Sequence, residues 1–331
     1  MKIRFGMKAA PLYMDQLQDR VDKFAQLEMD PLIELHFFGD TDVFDKKGVD
    51  VCLRNCESIK EYKPKFIVHF PYQNISGKIF DPFVDGDEAV LKVLDFTKAI
   101  KADSIVVHRY CCLNGNLSYS KAVNVFNHRL KVWAEEAEKR GLTILVENSG
   151  FIWLPAEFNQ EYIVTALDHF FPWEIRRFNE FLENEDINNV FPAIDIAHAA
   201  ISINMLKLWC KFSDLRNDQR FSNITLGKFT ENKSLTIEAF INEAKSPYLH
   251  FSDAFLLKEI NEYPDDLDLF LKTEGLPIGD GNIDFNKIIT AVKKTENDVI
   301  IILEIDSPDG NHNNNLEQFR GIIALQEILK N

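Results

Sequence analysis

No apolar run in the sequence approaches the roughly 18 consecutive residues that a helix needs to cross a bilayer. The first residues, MKIRFGMKAAPLYMDQ, lack the apolar segment and the cleavage site of a secretory signal peptide. Basic tracts, low-complexity segments and flexible linkers are lacking as well. We therefore expect a cytoplasmic protein that does not enter a membrane.

Positive charge and cysteine are both scarce. Lys and Arg number 37 against 52 Asp and Glu, so the formal net charge is −15 at pH 7. Binding to nucleic acid is driven by Lys and Arg side chains that displace counterions from phosphates, so this balance argues against a nucleic-acid partner. The 5 cysteines are an odd set without zinc-site spacing, which predicts reduced, structural thiols.

Apolar residues are plentiful. They make up 46% of the chain and include 27 Phe, which is enough for a packed core and excludes a largely disordered chain. A length of 331 residues exceeds the usual size of one domain, but barrels of alternating strands and helices reach it. We expect one domain over residues 1–331.

Eight short apolar runs recur along the chain, separated by longer segments of helical period. Near-continuous apolar runs suit parallel strands that are covered on both faces. Helices are expected in between, for instance over 14–28, 88–101, 118–140 and 316–330. The predicted strands are KIRFGM (2–7), LIELHFF (32–38), KFIVHF (65–70), SIVVHRY (104–110), LTILVEN (142–148), FPAIDIA (191–197), YLHFSD (248–253) and VIIILEI (299–305).

Eight repeats of strand and helix predict an α/β fold, a parallel eight-stranded (β/α)₈ TIM barrel. An open, doubly wound sheet is the rival, but it suits six or seven repeats, and no GxGxxG loop follows the first strand. Long connections at 149–172 and 199–235 follow the fifth and sixth strands. Loops at the carboxyl ends of barrel strands build the functional site, so we expect these two to shape a pocket.

Ionisable residues lie late in most of the predicted strands. Taken singly each has an ordinary explanation; Glu34, for example, could pair with Arg4. Together, carboxylates and imidazoles that converge at one barrel mouth repel one another or stay half desolvated unless a cation lies among them. We therefore interpret Asp195 as a metal ligand, with His198 over the same pocket if the chain turns after Asp195. The set is Glu34, His36, His69, His108, Glu147, Asp195, His198, His250 and Glu304.

Seven short motifs extend across nearly the whole chain. They are VHFPY (68–72), VVH (106–108), LVEN (145–148), DIAHA (195–199), YLHFSDAF (248–255), LPIGDGNIDF (276–285) and ILEID (302–306). In this order they resemble the xylose isomerase-like TIM-barrel superfamily, which includes sugar and sugar-phosphate isomerases and epimerases, and also endonuclease IV. The most specific of them is LPIGDGNIDF, which is similar to the glycine element that follows the seventh strand in these proteins.

The resemblance implies one divalent metal, Mn²⁺, Mg²⁺, Co²⁺ or Zn²⁺, held by Glu147, Asp195, His250 and Glu304. It implies an isomerase or epimerase of carbohydrate metabolism, acting on a small sugar, ketose or sugar phosphate. Glu147 and Glu304 would exchange protons next to a carbonyl, the metal would stabilise the enediolate charge, and His198 would sit beside the substrate. Weaker substrate candidates are Glu34, His36, Trp153 and Asp253.

Two alternatives stay open. Endonuclease IV binds a further metal with histidines that match His69 and His108, so a second metal and phosphodiester hydrolysis are the first alternative. The ligands of its third zinc correspond to Thr273 and Gly275, which cannot replace them. A catalytically inactive barrel that binds metal or sugar is the second alternative. The sequence leaves open the substrate, the metal and whether the chain forms a homo-oligomer.

Overall fold

The predicted barrel is confirmed by a computed structural model, which describes residues 1–37, 44–71, 87–112, 119–148, 164–166, 171–214, 235–257, 274–306 and 315–330. Eight parallel strands pair in chain order, and the last pairs with the first to close the ring. They are β1 (Ile3–Ala9), β2 (Leu32–Leu35), β3 (Lys65–His69), β4 (Ser104–His108), β5 (Thr143–Glu147), β6 (Val190–Asp195), β7 (Tyr248–Phe251) and β8 (Val299–Leu303).

Every connection between consecutive strands contains at least one helix, and the connection from β6 to β7 contains two. The last helix follows β8. The helices of the described residues are α1 (Met14–Gln26), α2 (Lys46–Ser58), α3 (Glu88–Ala99), α4 (Tyr119–Arg140), α5 (Pro172–Asn184), α6 (Ile196–Lys211), α7 (Ile237–Ala244), α8 (Phe285–Lys294) and α9 (Asn315–Lys330).

Local sequence explains where these helices pack and end. In α1, Leu17, Val21 and Phe24 are spaced four and three apart, so they share one face, and all three are buried against the barrel. Helix α4 ends at Arg140, and the next residue, Gly141, has a φ of +72°, a left-handed conformation that glycine adopts at little cost.

The two long connections contain more regular structure than loops alone. In the first, Val164–Ala166 pairs antiparallel with Tyr110–Cys112, forming a small two-stranded sheet that the sequence patterns did not predict. In the second, residues 199–211 belong to helix α6. Residues 149–163, 167–170 and 215–234 of these connections lie outside the described residues.

The strands and the inner faces of the helices form one continuous apolar core. Burial of apolar area contributes about 25 cal/mol per Å², so a core of this extent fixes the strands firmly. Packed strands hold the side chains at their carboxyl ends in defined positions. No helix among the described residues is long and apolar enough to cross a membrane.

Candidate metal centre

All eight barrel strands bring ionisable side chains to the same mouth of the barrel. The strands are parallel, so their carboxyl ends meet on one face. Most of these side chains are buried, while His108 and Glu304 are partly exposed. In strand order they are Lys8, Glu34 with His36, His69, His108, Glu147, Asp195, His250 and Glu304.

Four of these residues form a candidate metal centre: Glu147, Asp195, His250 and Glu304. One ligand atom from each lies within 4.8 Å of the others. The His250 Nδ1 atom is 2.7 Å from Glu304 Oε2 and 3.2 Å from Glu147 Oε1. The structure thus gathers the same four side chains that the resemblance implies, from β5, β6, β7 and the end of β8.

The orientation of His250 suits a cation. Its Nε2–H donates to Glu34 Oε2 at 2.9 Å, so Nδ1 faces Glu147 and Glu304 and is the nitrogen that can bind a metal. Neither His250 Nδ1 nor Glu147 Oε1 has a hydrogen-bond partner within the described parts of the chain. Buried polar atoms without a partner are costly, and a divalent metal would bind both. The donor set therefore fits a metal.

The pKa values of His250, Glu147 and Glu304 also indicate that the cluster favours a positive charge. Burial opposes the charge on His250, but Glu147, Glu34 and Glu304 outweigh it and hold the pKa of His250 well above its ordinary value. Burial likewise opposes ionisation of Glu147 and Glu304, yet His250 and other neighbours hold the pKa values of both carboxyl groups well below the ordinary range. A metal can take the place of the proton on His250.

Asp195 lies at the junction of β6 and α6. Its Oδ1 atom caps α6 by accepting the backbone N–H of His198 at 2.7 Å. Asn148 holds the Asp195 backbone from both sides, accepting its N–H at 2.6 Å and donating to its carbonyl at 3.0 Å. Burial, reinforced by Glu147 and Glu304, raises the pKa of Asp195 to about 7. A bound cation would relieve this carboxyl group of its proton.

His198 lies over the same pocket because the strand ends at Asp195, two residues before the predicted end, and the chain turns into a helix. This turn is the condition that the sequence set for His198. Its Nδ1 atom is 2.8 Å from the Asn148 carbonyl oxygen and 3.3 Å from Glu147 Oε1. Its Nε2 atom is 3.1 Å from Glu274 Oε2. Burial opposes the charge on the ring, but Asp195, Glu147 and Glu274 hold the pKa of His198 well above its ordinary value.

His69 and His108 form a second convergence with Glu147. The His108 Nε2 atom is 3.1 Å from His69 Nε2 and 3.0 Å from Glu147 Oε2, and His69 Nε2 is 3.4 Å from the same carboxylate oxygen. His69 Nδ1 is 3.0 Å from the Phe70 carbonyl oxygen, a contact in which Nδ1 can only donate. His69 Nε2 is then the atom with a lone pair toward the other two. This arrangement is able to hold a second cation.

The predicted substrate residues Glu34 and His36 are buried beside the candidate metal centre. Their side chains form a hydrogen bond between Glu34 Oε1 and His36 Nε2. His36 also stacks on His69, with ring centroids 4.4 Å apart, and its Nδ1 is 3.9 Å from Glu304 Oε1. Glu34 contacts histidines, whereas its ordinary explanation from the sequence was a pair with Arg4.

The predicted substrate residue Asp253 organises the glycine element. Its Oδ1 accepts the backbone N–H groups of Ala254 and Ile283 at 2.8 and 3.1 Å, and its Oδ2 accepts that of Gly279 at 2.9 Å. A Cβ atom at Gly281 would lie 2.4 Å from the Ala254 carbonyl oxygen, so only glycine fits there. Contact of Asp253 with substrate stays a prediction, and the fourth substrate candidate, Trp153, lies outside the described residues.

The sequence profile of the xylose isomerase-like TIM barrel matches residues 33–325, which is most of the chain. The chain belongs to this family. No curated protein sequence matches it. Membership of this family establishes the fold. The activity of this chain has to be inferred from the residues of its own site.

Solved structures of this xylose isomerase-like barrel fold are similar over the whole chain. One is a D-tagatose 3-epimerase-like protein, 18% identical with a TM-score of 0.61, covering 100% of this chain and 97% of that one. Another is L-ribulose 3-epimerase, 14% identical with a TM-score of 0.60, covering 100% and 96%. A third is an AP endonuclease of family 2 from Brucella melitensis, 14% identical with a TM-score of 0.54, covering 96% and 98%. At these identities the likeness establishes the fold.

Sequence reasoning missed three residues of this family member's site. Lys8 is fully buried, and its Nζ atom is 2.6 Å from Asp306 Oδ1 and 3.9 Å from Glu304 Oε1. A lysine inside an apolar strand was the available signal for it. Tyr248, whose hydroxyl donates to Glu34, lies two residues before His250 in the same strand, so the two side chains share a face. This spacing could have identified Tyr248 from the sequence. Glu274 gave no signal, because only the fold brings it to His198.

Proposed function

We propose that the protein is a metal-dependent isomerase or epimerase that moves a proton next to the carbonyl of a small sugar, ketose or sugar phosphate. The observation that carries this proposal is the placement of two ionised carboxylates, Glu147 and Glu304, around one buried imidazole nitrogen. They come from β5 and the end of β8, and the two strands between these carry the other two ligand residues. Their position on either side of those residues supports a shared cation and proton exchange from two sides.

The residues have complementary roles in this proposal. Glu147 Oε1 and Glu304 Oε2 both face the His250 Nδ1 atom at the barrel mouth, and each carboxylate can accept a proton from a carbon atom held between them. His198 carries N–H groups at the mouth and can hold a substrate oxygen. A bound divalent cation would supply positive charge to the substrate oxygens on which negative charge develops. The substrate would then lie between the two glutamates, with one on each side.

The convergence of His69, His108 and Glu147 favours a second candidate, a hydrolase of phosphodiesters similar to endonuclease IV. Three donor atoms within 3.4 Å of one another suit a further metal, and metal pairs are common in phosphodiester hydrolysis. The acidic balance of the chain argues against it. In addition, the positions that correspond to the ligands of that enzyme's third zinc are Thr273 and Gly275, which cannot replace them.

Metal content and substrate turnover together test the proposal. Purified protein is stripped with a chelator, reloaded with Mn²⁺, Co²⁺, Zn²⁺ or Mg²⁺, and its metal content is measured by elemental analysis. Each form is then assayed on a panel of ketoses and ketose phosphates, and on a duplex that contains an abasic site. We expect about one tightly bound metal per chain, from the single four-residue donor set, and turnover of at least one sugar.

Two glutamine variants make this test specific. Glu147→Gln and Glu304→Gln should each lower kcat by about 10²-fold or more, because each removes a group that exchanges protons. Glu243→Gln, a surface change on α7, is the matched control and should leave kcat unchanged. Cleavage of the duplex without sugar turnover would favour the hydrolase. Metal binding with neither activity, across the whole panel, would favour the inactive barrel.

A further inference from the structure

Glu34 is a fully buried carboxylate at the barrel mouth, and three side chains donate to it. His250 donates to its Oε2 through Nε2 at 2.9 Å, and the Tyr248 hydroxyl donates to the same oxygen. His36 donates to its Oε1 through Nε2. Glu34 has 0% exposure, so it has no surface with which to contact a substrate. Glu34 therefore acts through its hydrogen bonds to these three side chains.

The contact with His250 decides which nitrogen of that ring faces the carboxylates. The two oxygens of Glu34 already accept from the Tyr248 hydroxyl and from His36 Nε2, so the carboxylate meets His250 as an acceptor. The Nε2 atom of His250, 2.9 Å from Glu34 Oε2, is therefore the donor and keeps its proton. Nδ1 is then the nitrogen that can bind a metal, and it lies 3.2 Å from Glu147 Oε1 and 2.7 Å from Glu304 Oε2.

We propose that Glu34 is a positioning residue that fixes the His250 ring so that Nδ1 is its metal-binding nitrogen. Carboxylates that accept the remote N–H of a ligating histidine orient the ring and strengthen its bond to the metal. Glu34 does this from β2, a strand that contributes no ligand to the four-residue centre. The inference rests on the proposed function only in requiring a divalent metal at that centre.

Metal affinity measured without any sugar tests this proposal. Metal-free protein is titrated with Co²⁺ in competition with a chromophoric chelator, which gives the Kd and the visible spectrum of the bound ion. Loss of a partner that orients a metal ligand weakens metal binding by about 10 to 100-fold, and we expect Glu34→Gln to raise the Kd by that factor. A wild-type Kd and an unchanged Co²⁺ spectrum in this variant would overturn the proposal.

Two matched variants separate the His250 contact from the other contacts of Glu34. Tyr248→Phe removes one donor to Glu34 but keeps its bond to His250, and His36→Asn does the same on the other oxygen. We expect each to change the Kd less than about threefold, since neither releases His250. A loss in His36→Asn as large as in Glu34→Gln would mean that Glu34 acts through His36, which contradicts the proposal.

A measurement on the wild-type protein covers the case in which Glu34→Gln does not fold. In ¹⁵N-histidine-labelled protein loaded with Zn²⁺, the ring nitrogens of His250 report their proton directly, and the His250→Asn variant assigns the signal. We expect the proton on Nε2. A proton on Nδ1 would overturn the proposal, as would a wild-type protein that binds none of the divalent metals.

Failure of the proposed function is distinguishable from failure of this inference. A weakened Co²⁺ affinity in Glu34→Gln, in a protein that turns over no sugar, supports the positioning role and removes the isomerase. Normal sugar turnover with unchanged Co²⁺ affinity in Glu34→Gln supports the isomerase and removes the positioning role of Glu34.

Discussion

Glu34 and Asp195 are both buried carboxylates at the same barrel mouth, yet their surroundings impose opposite states of ionisation. Three donors, His36, Tyr248 and His250, surround Glu34, and its pKa is lowered. Asp195 accepts one backbone N–H and lies close to two other carboxylates, so its pKa is raised to about 7. Burial disfavours charge at both positions.

This difference separates two kinds of buried acid in one fold. The protein itself supplies the positive charge that Glu34 requires, and that carboxylate is part of the scaffold. Around Asp195 the neighbouring imidazoles do not offset burial and the two nearby carboxylates, and under this condition a cation is able to bind. The comparison therefore predicts that removal of the two charges has opposite effects on stability in the absence of metal.

The largest effect is expected from Glu34→Leu. Removing one partner of a buried, paired network costs about 3 to 5 kcal/mol, because the remaining donors keep their buried polar groups without an acceptor. We expect the free energy of unfolding of the metal-free protein to fall by that amount. Urea denaturation followed by circular dichroism, in the presence of a chelator, measures it. Equal stability of variant and wild type would show that the three contacts to Glu34 are not structural.

A smaller effect concerns metal and Asp195. A ligand that binds only the folded state, at 100 times its Kd, stabilises that state by about 2.7 kcal/mol. We expect this gain for the wild-type protein with its preferred metal, and little of it for Asp195→Asn, which keeps the helix cap but loses the carboxylate ligand. Thermal unfolding with and without metal makes the comparison. An equal gain in both proteins would exclude Asp195 as a ligand.

The third effect is a gain in the free energy of unfolding, opposite in sign to the loss expected for Glu34→Leu. The pKa of Asp195 in the folded chain, about 7, is higher than the ordinary value of an aspartate, so ionisation of its carboxyl group costs stability. Without metal, Asp195→Asn should therefore be more stable than wild type at pH 8. The gain should be absent below about pH 4, grow between pH 4 and 7, and stay constant above. Urea denaturation across this range, with a chelator present, would refute the assignment if the gain grew toward low pH.

The smallest effect is expected away from the mouth. Arg176 and Glu243 form a bidentate ion pair between α5 and α7, and the Arg176 side chain is 62% exposed. Solvent screens such a pair, so Arg176→Gln should not change the free energy of unfolding measurably. The same urea experiment tests this, and a large loss there would mean that ion pairs outside the mouth also matter for stability.

The sequence predicted the residues that are tied to a repeating pattern. Near-continuous apolar runs predicted all eight strands within a few residues of their bounds, since parallel strands covered on both faces consist mainly of apolar residues. Glu147, Asp195, His250 and Glu304 could be placed at one mouth because parallel strands share a direction. The small sheet of Tyr110–Cys112 and Val164–Ala166 was not predictable, because three-residue strands leave no periodic signal.

The sequence by itself determined the barrel, its strand order and the residue types at its mouth, because periodicity and direction are local properties that each strand carries with it. Only the tertiary structure decided which atoms meet. Glu34 became a partner of His250, Lys8 of Asp306, and Glu274 of His198, across 216, 298 and 76 sequence positions respectively. The physical reason is that hydrogen bonds between side chains depend on rotamers and on the closure of the ring, and neither is recorded in the spacing of residues along one strand.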